Sequence, residues 1–233
     1  MPKVILITGT RKGLGYDLAI DYLNLGHIVC GCSRGTSTIE HENYRHFELD
    51  VIDELPVVKM VRTIKKEFKR IDILLNNAGI ASMNHILTTP YETAKNVMGT
   101  NFFGSFLFMR EVGKIMMRQK YGRIVNYSTV AAAFNLEGEA IYASSKAAVE
   151  TLTKTVSNEL ASLGITVNAV APTPVETDLI KAVPKDKIQE LLNRQAIPRF
   201  GKFEDVKNVI DFFIDDKSDF ITGQVIYLGG VNN

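Results

Sequence analysis

The chain has 233 residues, 45% of them hydrophobic, and its 27 Lys and Arg against 26 Asp and Glu leave a net charge of +1 at pH 7. This composition excludes a disordered chain and a strongly basic nucleic-acid-binding protein. We predict one domain over residues 1–233, because no repeat, linker or low-complexity segment divides the sequence.

Apolar runs near the N-terminus, such as residues 4–7, are far too short for a membrane-spanning helix or the core of a signal peptide. The two cysteines, Cys30 and Cys32, are separated by one residue and would lie on one face of a strand, which disfavours a disulfide between them. We therefore expect a cytoplasmic protein with reduced cysteines and no membrane partner.

Short apolar, β-branched runs alternate along the chain with longer stretches whose apolar residues recur at helical spacing. This alternation predicts an α/β fold, a doubly wound parallel sheet of about seven strands with helices on both faces. Ligands bind such sheets beyond the carboxyl ends of the strands, so functional residues are expected just after each run. The apolar runs cover residues 4–7, 28–30, 73–75, 124–125, 165–170 and 225–228.

The first run leads into Thr8-Gly-Thr-Arg-Lys-Gly-Leu-Gly15 and then into a helix-compatible stretch that stops at Gly26. Glycines let a phosphate approach the backbone, and the start of a helix offers free N–H groups to it. This combination predicts a Rossmann-type dinucleotide site, although the spacing is G-x-x-x-G-x-G instead of the usual G-x-G-x-x-G. The predicted cofactor contacts in this turn are Gly9, Arg11, Lys12, Gly13, Leu14 and Gly15.

The second strand ends in Cys32-Ser33-Arg34, with no acidic residue before Glu40. An acidic residue at this place would bind the ribose 2′-hydroxyl of NAD and repel the 2′-phosphate of NADP. Because Arg34 and Lys12 offer cations to a phosphate instead, we predict NADP(H) as the cofactor. The alternative is that both are solvated surface cations. Asp50 and Val51 close the third predicted strand and are expected to meet the adenine.

Two Tyr-x-x-x-Lys patterns occur in the chain. On a helix this spacing puts both side chains on one face, where the lysine can lower the tyrosine pKa from about 10 toward neutral pH and favour general-acid catalysis. The pair of Tyr91 and Lys95 follows Pro90 in a polar stretch and is predicted to be an exposed helix start. The pair of Tyr142 and Lys146 is the candidate site, although the spacing alone equally allows a packing tyrosine.

The helix that Tyr142 opens has the clearest amphipathic pattern in the sequence. Its apolar stripe is formed by Val149, Leu152, Val156 and Leu160, and the charged residues Glu150, Lys154 and Glu159 lie off that stripe. Thr129, at the end of a predicted strand, precedes Tyr142 by 13 residues.

Further motifs accompany the glycine turn and the Tyr142-Lys146 pair: Asn76-Asn-Ala-Gly79, Asn101 in Thr100-Asn-Phe-Phe-Gly104, Ser128-Thr129, Ala171-Pro172 before Glu176-Thr177, and Phe220-Ile-Thr-Gly-Gln224. In order and spacing, along nearly the whole chain, the set resembles the short-chain dehydrogenase/reductase family, and within it the 3-oxoacyl-(acyl-carrier-protein) reductases most. The resemblance implies an NADPH-dependent carbonyl reductase for a small-molecule ketone or acyl thioester, assembled as a homodimer or homotetramer.

The resemblance also implies a role for each motif. Hydride would pass from NADPH to a carbonyl carbon while Tyr142 protonates the oxygen. Lys146 would hold the nicotinamide ribose and lower the tyrosine pKa, and Asn101 would support a proton-relaying water. Thr129 would orient the substrate oxygen, with Ser128 as the second choice. The other implied cofactor contacts are Asn77, Ala78 and Gly79 after the fourth strand and Pro172, Thr173, Val175 and Thr177 after the sixth.

Three departures from the family pattern are visible. Thr129 stands where serine is usual, and Pro172-Thr173 stands in place of proline and glycine. Leu163 occupies a position where the 3-oxoacyl reductases often have a basic residue, which argues against a carrier-protein substrate. The segments expected to line the substrate pocket, residues 81–85, 131–139 and 179–200, show no diagnostic chemistry, so the natural substrate cannot be read from the sequence.

Two alternatives remain open at this point: an NADP-dependent alcohol dehydrogenase for a sugar, steroid or polyol, and a non-catalytic NADP-binding sensor. Intact Asn101, Tyr142 and Lys146 argue against the sensor. No metal is expected, because the four histidines lack metal-ligand spacing. No nucleic-acid partner is expected either, because the basic run over residues 62–70 includes Glu67 and is typical of a solvated helix face.

Overall fold

The computed structural model describes residues 2–175 and 185–231. Within this part, seven parallel strands form one sheet in the order β3-β2-β1-β4-β5-β6-β7. The predicted doubly wound sheet is therefore confirmed, and its order reverses between β1 and β4, where such sheets bind ligands. The strands are β1 (Val4–Thr8), β2 (Ile28–Ser33), β3 (Tyr44–Glu48), β4 (Ile73–Asn76), β5 (Gly122–Tyr127), β6 (Ile165–Ala171) and β7 (Val225–Tyr227).

Helices connect the strands and cover both faces of the sheet. They are α1 (Leu14–Asn24), α2 (Glu54–Phe68), α3 (Tyr91–Met98), α4 (Gly104–Gln119), α5 (Val130–Phe134), α6 (Ala140–Leu160), α7 (Lys185–Asn193) and α8 (Phe203–Ile214). A π-helical segment, Gly99–Phe103, joins α3 directly to α4. None of the helices in the described ranges is long and apolar enough to cross a membrane.

The hydrophobic core lies on both faces of the sheet, because successive side chains of a strand point to opposite faces. Val4 and Leu6 of β1 pack on the side of α2 and α4. Ile5 and Ile7 pack on the other side, against α1 and α8. Every residue of β1 is buried. A strand covered in this way carries no alternating polar pattern, which explains its continuous apolar sequence.

The edge strand β3 is the one whose sequence least resembles a buried strand. Only its first residue, Tyr44, is fully buried, and the strand ends at Glu48. Asp50 and Val51 therefore do not close this strand as expected but follow it in the turn before α2. An edge strand is covered on fewer sides, so it accepts polar residues that a central strand would exclude.

Helix α6 differs from its predicted pattern at one position. Val149 is fully buried, and Lys154 and Glu159 are exposed, as expected from the apolar stripe. Glu150, however, is buried although it lies off the stripe. The reason is that the buried face of α6 is largely polar near the carboxyl ends of the strands, where it also carries Tyr142 and Lys146.

Candidate active site

The glycine turn joins the end of β1 to the start of α1. Gly13 caps the helix with φ 62° and ψ −151°, a conformation that is almost restricted to glycine. No side chain in the described structure caps this helix end, so its first N–H groups have no side-chain acceptor there. A Cβ at Gly15 would lie less than 3.0 Å from the Gly9 carbonyl oxygen and from Asn77 Nδ2. Glycine at this position therefore lets α1 pack closely on the ends of β1 and β4.

The loop after β4 is fastened to this turn by its own amide groups. Asn77 Nδ2 donates to the carbonyl oxygens of Thr8, at 2.9 Å, and Gly9, at 3.3 Å. The Ala78 N–H donates to Thr8 Oγ1 at 2.9 Å. The predicted residues from two separate strand ends therefore meet at the switch point of the sheet.

Cationic residues gather where β2 ends. Arg34 follows β2 and is exposed, as are Arg11 and Lys12 of the glycine turn. The Arg11 guanidinium lies over Gly35, where a Cβ would be 3.2 Å from Nη1. Ser33 Oγ donates to the Gly35 carbonyl at 2.7 Å and holds this turn in place. The structure thus brings Arg11 beside the turn that follows β2, next to the expected Arg34, and leaves the Lys12 side chain exposed in the glycine turn.

The residues expected at the adenine lie on the opposite side of the same strand ends. Val51 is buried and packs so closely on Gly104 that a Cβ there would be 2.8 Å from Val51 Cγ2. Asp50 is partly exposed, and its Oδ1 accepts the Ile52 N–H at 3.3 Å. Val51 therefore anchors the turn to α4, while the Asp50 carboxylate caps the turn itself.

Tyr142 and Thr129 face each other across the pocket. Tyr142 is in the first turn of α6 and only 8% exposed. Thr129, which follows β5, lines the same pocket, and its side chain is close enough to Tyr142 to lower the pKa of the tyrosine hydroxyl. Thr129 Oγ1 also accepts the Ala131 N–H at 3.3 Å and so caps α5. The hydroxyl 13 residues before the tyrosine thus lies beside it, as the spacing predicts.

Ser128, the second choice for the orienting hydroxyl, is engaged elsewhere. Its Oγ donates a short hydrogen bond to Glu150 Oε1. The same carboxylate accepts the Tyr227 hydroxyl, at 2.7 Å and 2.8 Å from its two oxygens. Ser128 and Glu150 are buried and Tyr227 is half-buried, and together they connect β5, α6 and β7. Sequence reasoning missed this group because Glu150 lies off the apolar stripe.

Lys146 is one turn further along α6 and is 5% exposed. Its Nζ donates to the Tyr127 carbonyl oxygen at 2.8 Å. A Cβ at Gly79 would lie 3.4 Å from Nζ and 3.3 Å from Asn101 Oδ1, so only a glycine lets the loop after β4 pass this close. The ammonium therefore lies between the ends of β4 and β5, beside the candidate cofactor loop.

Asn101 lies in the π-helical segment and is 1% exposed. Its side chain pairs with the Ile80 backbone, donating to the carbonyl at 3.0 Å and accepting the N–H at 2.9 Å. Nδ2 also donates to Ser145 Oγ at 2.9 Å. π-helical turns are frequent at functional sites. The sequence pattern did not predict this one.

The charges of the site differ from the expected ones. Burial and, to a smaller extent, the nearby Glu139 raise the pKa of Tyr142 to about 12, against the opposing effect of the Thr129 side chain. Burial lowers the pKa of Lys146 to about 8. The spacing of the pair predicts a lowered tyrosine pKa, and the structure has it raised. The reason is that both groups are buried, and desolvation disfavours the charged form of each.

One pocket joins these groups. Its walls include Leu14 and Asn77 from the cofactor side and Thr129, Tyr142 and Lys146 from the catalytic side. The remaining lining consists mainly of apolar side chains from the segment after Gly79 and from α7, together with Pro172, Thr173, Pro174 and Val175 after β6. The predicted contact Thr177 lies outside the described residues.

The pocket also contains a residue that sequence reasoning missed. Glu139 immediately precedes α6, is 8% exposed and lines the pocket. The segment over residues 131–139 was expected to carry no diagnostic chemistry, and the structure places this one buried acid in it. No sequence pattern singled out Glu139, because it lies in the turn before α6 and not on the helix.

The residues present fit a dinucleotide. The helix after the glycine turn begins without a side-chain cap, and Arg11 lies beside the turn after β2, which Arg34 begins. In the pocket lining, Thr173 Oγ1 is buried without a hydrogen-bond partner among the described residues. A buried hydroxyl without a partner is uncommon unless a ligand or water completes it.

Comparisons with known proteins agree with this geometry. A family model described as enoyl-(acyl carrier protein) reductase matches residues 9–232. The 3-oxoacyl-(acyl-carrier-protein) reductase FabG of Staphylococcus epidermidis is 33% identical over 99% of this chain and 98% of its own length. The solved structure of ElxO with NADP bound is 32% identical, with a TM-score of 0.90, over 99% of this chain and 98% of that one.

A third similar protein is the aldohexose dehydrogenase of Thermoplasma acidophilum. It is 30% identical, with a TM-score of 0.89, over 99% of this chain and 94% of that one. The family match extends from the glycine turn to the end of the sheet, and it includes every strand after β1. The chain belongs to the short-chain dehydrogenase/reductase family.

Proposed function

We propose that this protein is an NADPH-dependent carbonyl reductase that acts on a 3-oxoacyl thioester or a similar small ketone. The observation that carries the proposal is a pocket lined by Leu14, Asn77 and Gly79 as well as by Tyr142, Thr129 and Lys146. A cofactor in the glycine turn would reach the tyrosine through this pocket. The similarity to the reductase FabG and to ElxO with NADP bound supports the same function.

The cofactor would be held by the glycine turn and by the neighbouring cationic side chains. The N–H groups of Gly13, Leu14 and Gly15 would bind the pyrophosphate. Arg34, with Arg11 and Lys12, would bind the 2′-phosphate of NADPH, since a guanidinium forms paired hydrogen bonds to phosphate oxygens. Bound NADPH supplies the hydride.

Asp50 and Val51 would lie beside the adenine, and Asn77, Ala78 and Gly79 would flank the adenosine ribose and the pyrophosphate. Pro172, Thr173, Val175 and Thr177 would border the nicotinamide. These assignments are the ones that the family resemblance implies, and they lie after strands at the edge where such sheets bind ligands.

Tyr142 would donate the proton to the carbonyl oxygen. Because its pKa lies near 12, it is protonated at neutral pH and ready to act as an acid. Thr129 would hold the carbonyl oxygen in place with its hydroxyl. Lys146, with a pKa of about 8, is charged at pH 7 and would stabilise the negative charge that develops on the oxygen and on Tyr142. Asn101 would hold the loop after β4 against α6.

The experiment that tests this proposal measures the oxidation of NADPH and NADH with a short 3-oxoacyl thioester. Wild type is compared with Tyr142→Phe and with Tyr91→Phe, the tyrosine of the second Tyr-x-x-x-Lys pattern. Tyr91 is 76% exposed in α3, which confirms it as an exposed helix start and makes it a matched control.

Turnover with NADPH should fall by about 10²- to 10⁴-fold in Tyr142→Phe, the usual contribution of a general acid, and should stay unchanged in Tyr91→Phe. NADPH affinity, measured by titration, should be similar in all three proteins. Tight NADPH binding without turnover of ketones by wild type would favour the non-catalytic sensor. Oxidation of sugars or polyols in place of ketone reduction would favour the alcohol dehydrogenase.

We further propose that the protein is a cytoplasmic homodimer or homotetramer. Residues 102–108 contain four phenylalanines. Phe108 is buried in the core, whereas Phe103 is 54% and Phe106 is 38% exposed. These exposed rings lie at the start of α4 and would be covered by a second copy of the chain. The molar mass in solution, measured by light scattering, tests this assembly, and a mass of one chain would refute it.

A further inference from the structure

Glu139 lies beside the candidate acid in the pocket. It is the residue before α6, and Tyr142 is three residues further along. Both side chains line the same pocket, together with Thr129, and Glu139 is close enough to Tyr142 for its charge to affect the tyrosine hydroxyl. The carboxyl group of Glu139 therefore shares the pocket with the place where a carbonyl oxygen would meet Tyr142 and Thr129.

The carboxyl group has no protein partner to explain its burial. Glu139 is 8% exposed, and its Oε2 has no hydrogen-bond partner within residues 2–175 and 185–231. A buried carboxyl oxygen without a hydrogen bond costs free energy that a ligand in the pocket could recover. This unpartnered group therefore points to a contact with the substrate.

The chemistry of the pocket favours the neutral form of this acid. Burial raises the pKa of Glu139 to about 7. An ionised Glu139 raises the pKa of Tyr142, so the carboxylate would oppose negative charge on the reacting oxygen, whereas the neutral acid would not. The other titratable and charged side chains that the described structure places around the pocket are Tyr127, Tyr142, Lys146, Glu137, Lys187 and Glu190.

The remaining walls narrow the kind of substrate. Near Glu139 the pocket is lined by apolar side chains, among them Met83, Leu136 and Leu191. An apolar wall does not bind the several hydroxyls of a sugar, but it accepts an acyl chain. A neutral carboxylic acid in such a wall has one strong donor, its own hydroxyl. The matching substrate group is an acceptor, such as a carbonyl oxygen.

We propose that Glu139 is a specificity-determining residue that, as a neutral carboxylic acid, donates a hydrogen bond to a second carbonyl oxygen of the substrate, separated by one methylene from the carbonyl that is reduced. The substrate class is a 3-oxoacyl thioester or another 1,3-dicarbonyl compound. This inference rests on the proposed carbonyl-reductase function, and it names which ketones that site prefers.

The test compares the acetoacetyl thioester of N-acetylcysteamine with a ketone of similar length that lacks the second carbonyl. Calorimetry measures the affinity of each compound for the protein with oxidised NADP bound, where no turnover occurs, at pH 6 and pH 8. The same proteins are then assayed for NADPH oxidation. The variants are Glu139→Gln, which keeps a donor and cannot ionise, and Glu139→Leu, which has no donor. Glu159→Gln, an exposed change on the same helix, is the control.

Wild-type affinity for the thioester should fall about tenfold from pH 6 to pH 8, because a group with a pKa near 7 loses about nine-tenths of its protons over this range. Glu139→Gln should show much less of this fall, and Glu139→Leu should bind weakly at both pH values. Any effect of Lys146 titration is common to wild type and Glu139→Gln and cancels in their ratio. The simple ketone should bind equally to all four proteins.

Equal thioester affinity in wild type, Glu139→Gln and Glu139→Leu would overturn the inference. So would a wild-type affinity that rises from pH 6 to pH 8, since the carboxylate would then be the binding form. Because binding is measured without turnover, the two proposals fail separately. The predicted affinity pattern without any NADPH oxidation would leave the role of Glu139 standing and refute the reductase.

Discussion

Replacement of Gly15 by alanine tests the close packing of α1 on the ends of β1 and β4. Its Cβ would lie less than 3.0 Å from the Gly9 carbonyl oxygen and from Asn77 Nδ2, whereas ordinary contact begins at 3.4 Å. The backbone oxygen cannot rotate away, so α1 must move outward from β1. Asn77 must also give way, and its hydrogen bonds to Thr8, at 2.9 Å, and Gly9, at 3.3 Å, are weakened.

The magnitude follows from these two effects. Overpacking by one methyl group costs about 1–3 kcal/mol. Each weakened hydrogen bond adds up to about 1 kcal/mol. We expect Gly15→Ala to lower the free energy of unfolding by roughly 3 kcal/mol, which for a chain of this length lowers the melting temperature by about 6–12 °C. NADPH affinity should fall at least about tenfold, because the displaced N–H groups are the proposed phosphate ligands.

The assay is thermal unfolding monitored by circular dichroism, together with titration of NADPH fluorescence. Gly113→Ala is the matched control, because its Cβ would lie 3.8 Å from Leu160 Cδ1, in ordinary contact. Alanine within helix α4 should stabilise the protein by about 0.5–1 kcal/mol without an effect on NADPH binding. If Gly15→Ala melts at the wild-type temperature and binds NADPH equally well, the close packing of α1 on the two strand ends is refuted.

Two further predictions concern charge. Arg34→Asp should lower kcat/KM for NADPH by about 10- to 100-fold and favour NADH, because it removes charge-assisted hydrogen bonds to the 2′-phosphate. Arg62→Asp on α2 is the control. An unchanged NADPH preference in Arg34→Asp would contradict the assignment. The unfolding free energy of wild type relative to Lys146→Met should rise by up to about 3 kcal/mol between pH 8 and pH 10.5. The reason is that the buried lysine loses its proton near pH 8, whereas the lysine of the unfolded chain loses it near pH 10.5. Denaturant titrations measure this difference, and parallel pH curves of the two proteins would contradict it.

The sequence predicted the parts of the fold in which local pattern and burial agree. Strand β1 is buried along its whole length, so its apolar run was sufficient to identify it. Strand β3 is at the edge of the sheet with a polar sequence, and the apolar-run pattern does not contain it. The π-helical segment around Asn101 was not predicted either, because the extra residue in that turn follows from the contact of Asn101 with the Ile80 backbone, which is distant in sequence.

The candidate site was likewise predicted only in part. Spacing along one element brought together Tyr142 and Lys146, and a motif in a fixed order brought Thr129 to the same pocket. Burial could not be predicted from spacing, so the raised pKa of Tyr142 and the lowered pKa of Lys146 were missed. The buried state of Glu139 was missed for the same reason, because an acid in a turn is usually exposed.

The central claim is that a hydride passes from NADPH to a substrate carbonyl within this pocket. The most direct test uses NADPH with deuterium in one of its two transferable positions at the nicotinamide C4, the short 3-oxoacyl thioester and the wild-type protein. Mass spectrometry and NMR then locate the label in the product. We predict that the label from one of the two labelled cofactors appears on the carbon that becomes the alcohol, in a single enantiomer. A product without label from either cofactor, or no product while NADPH is tightly bound, would contradict the account.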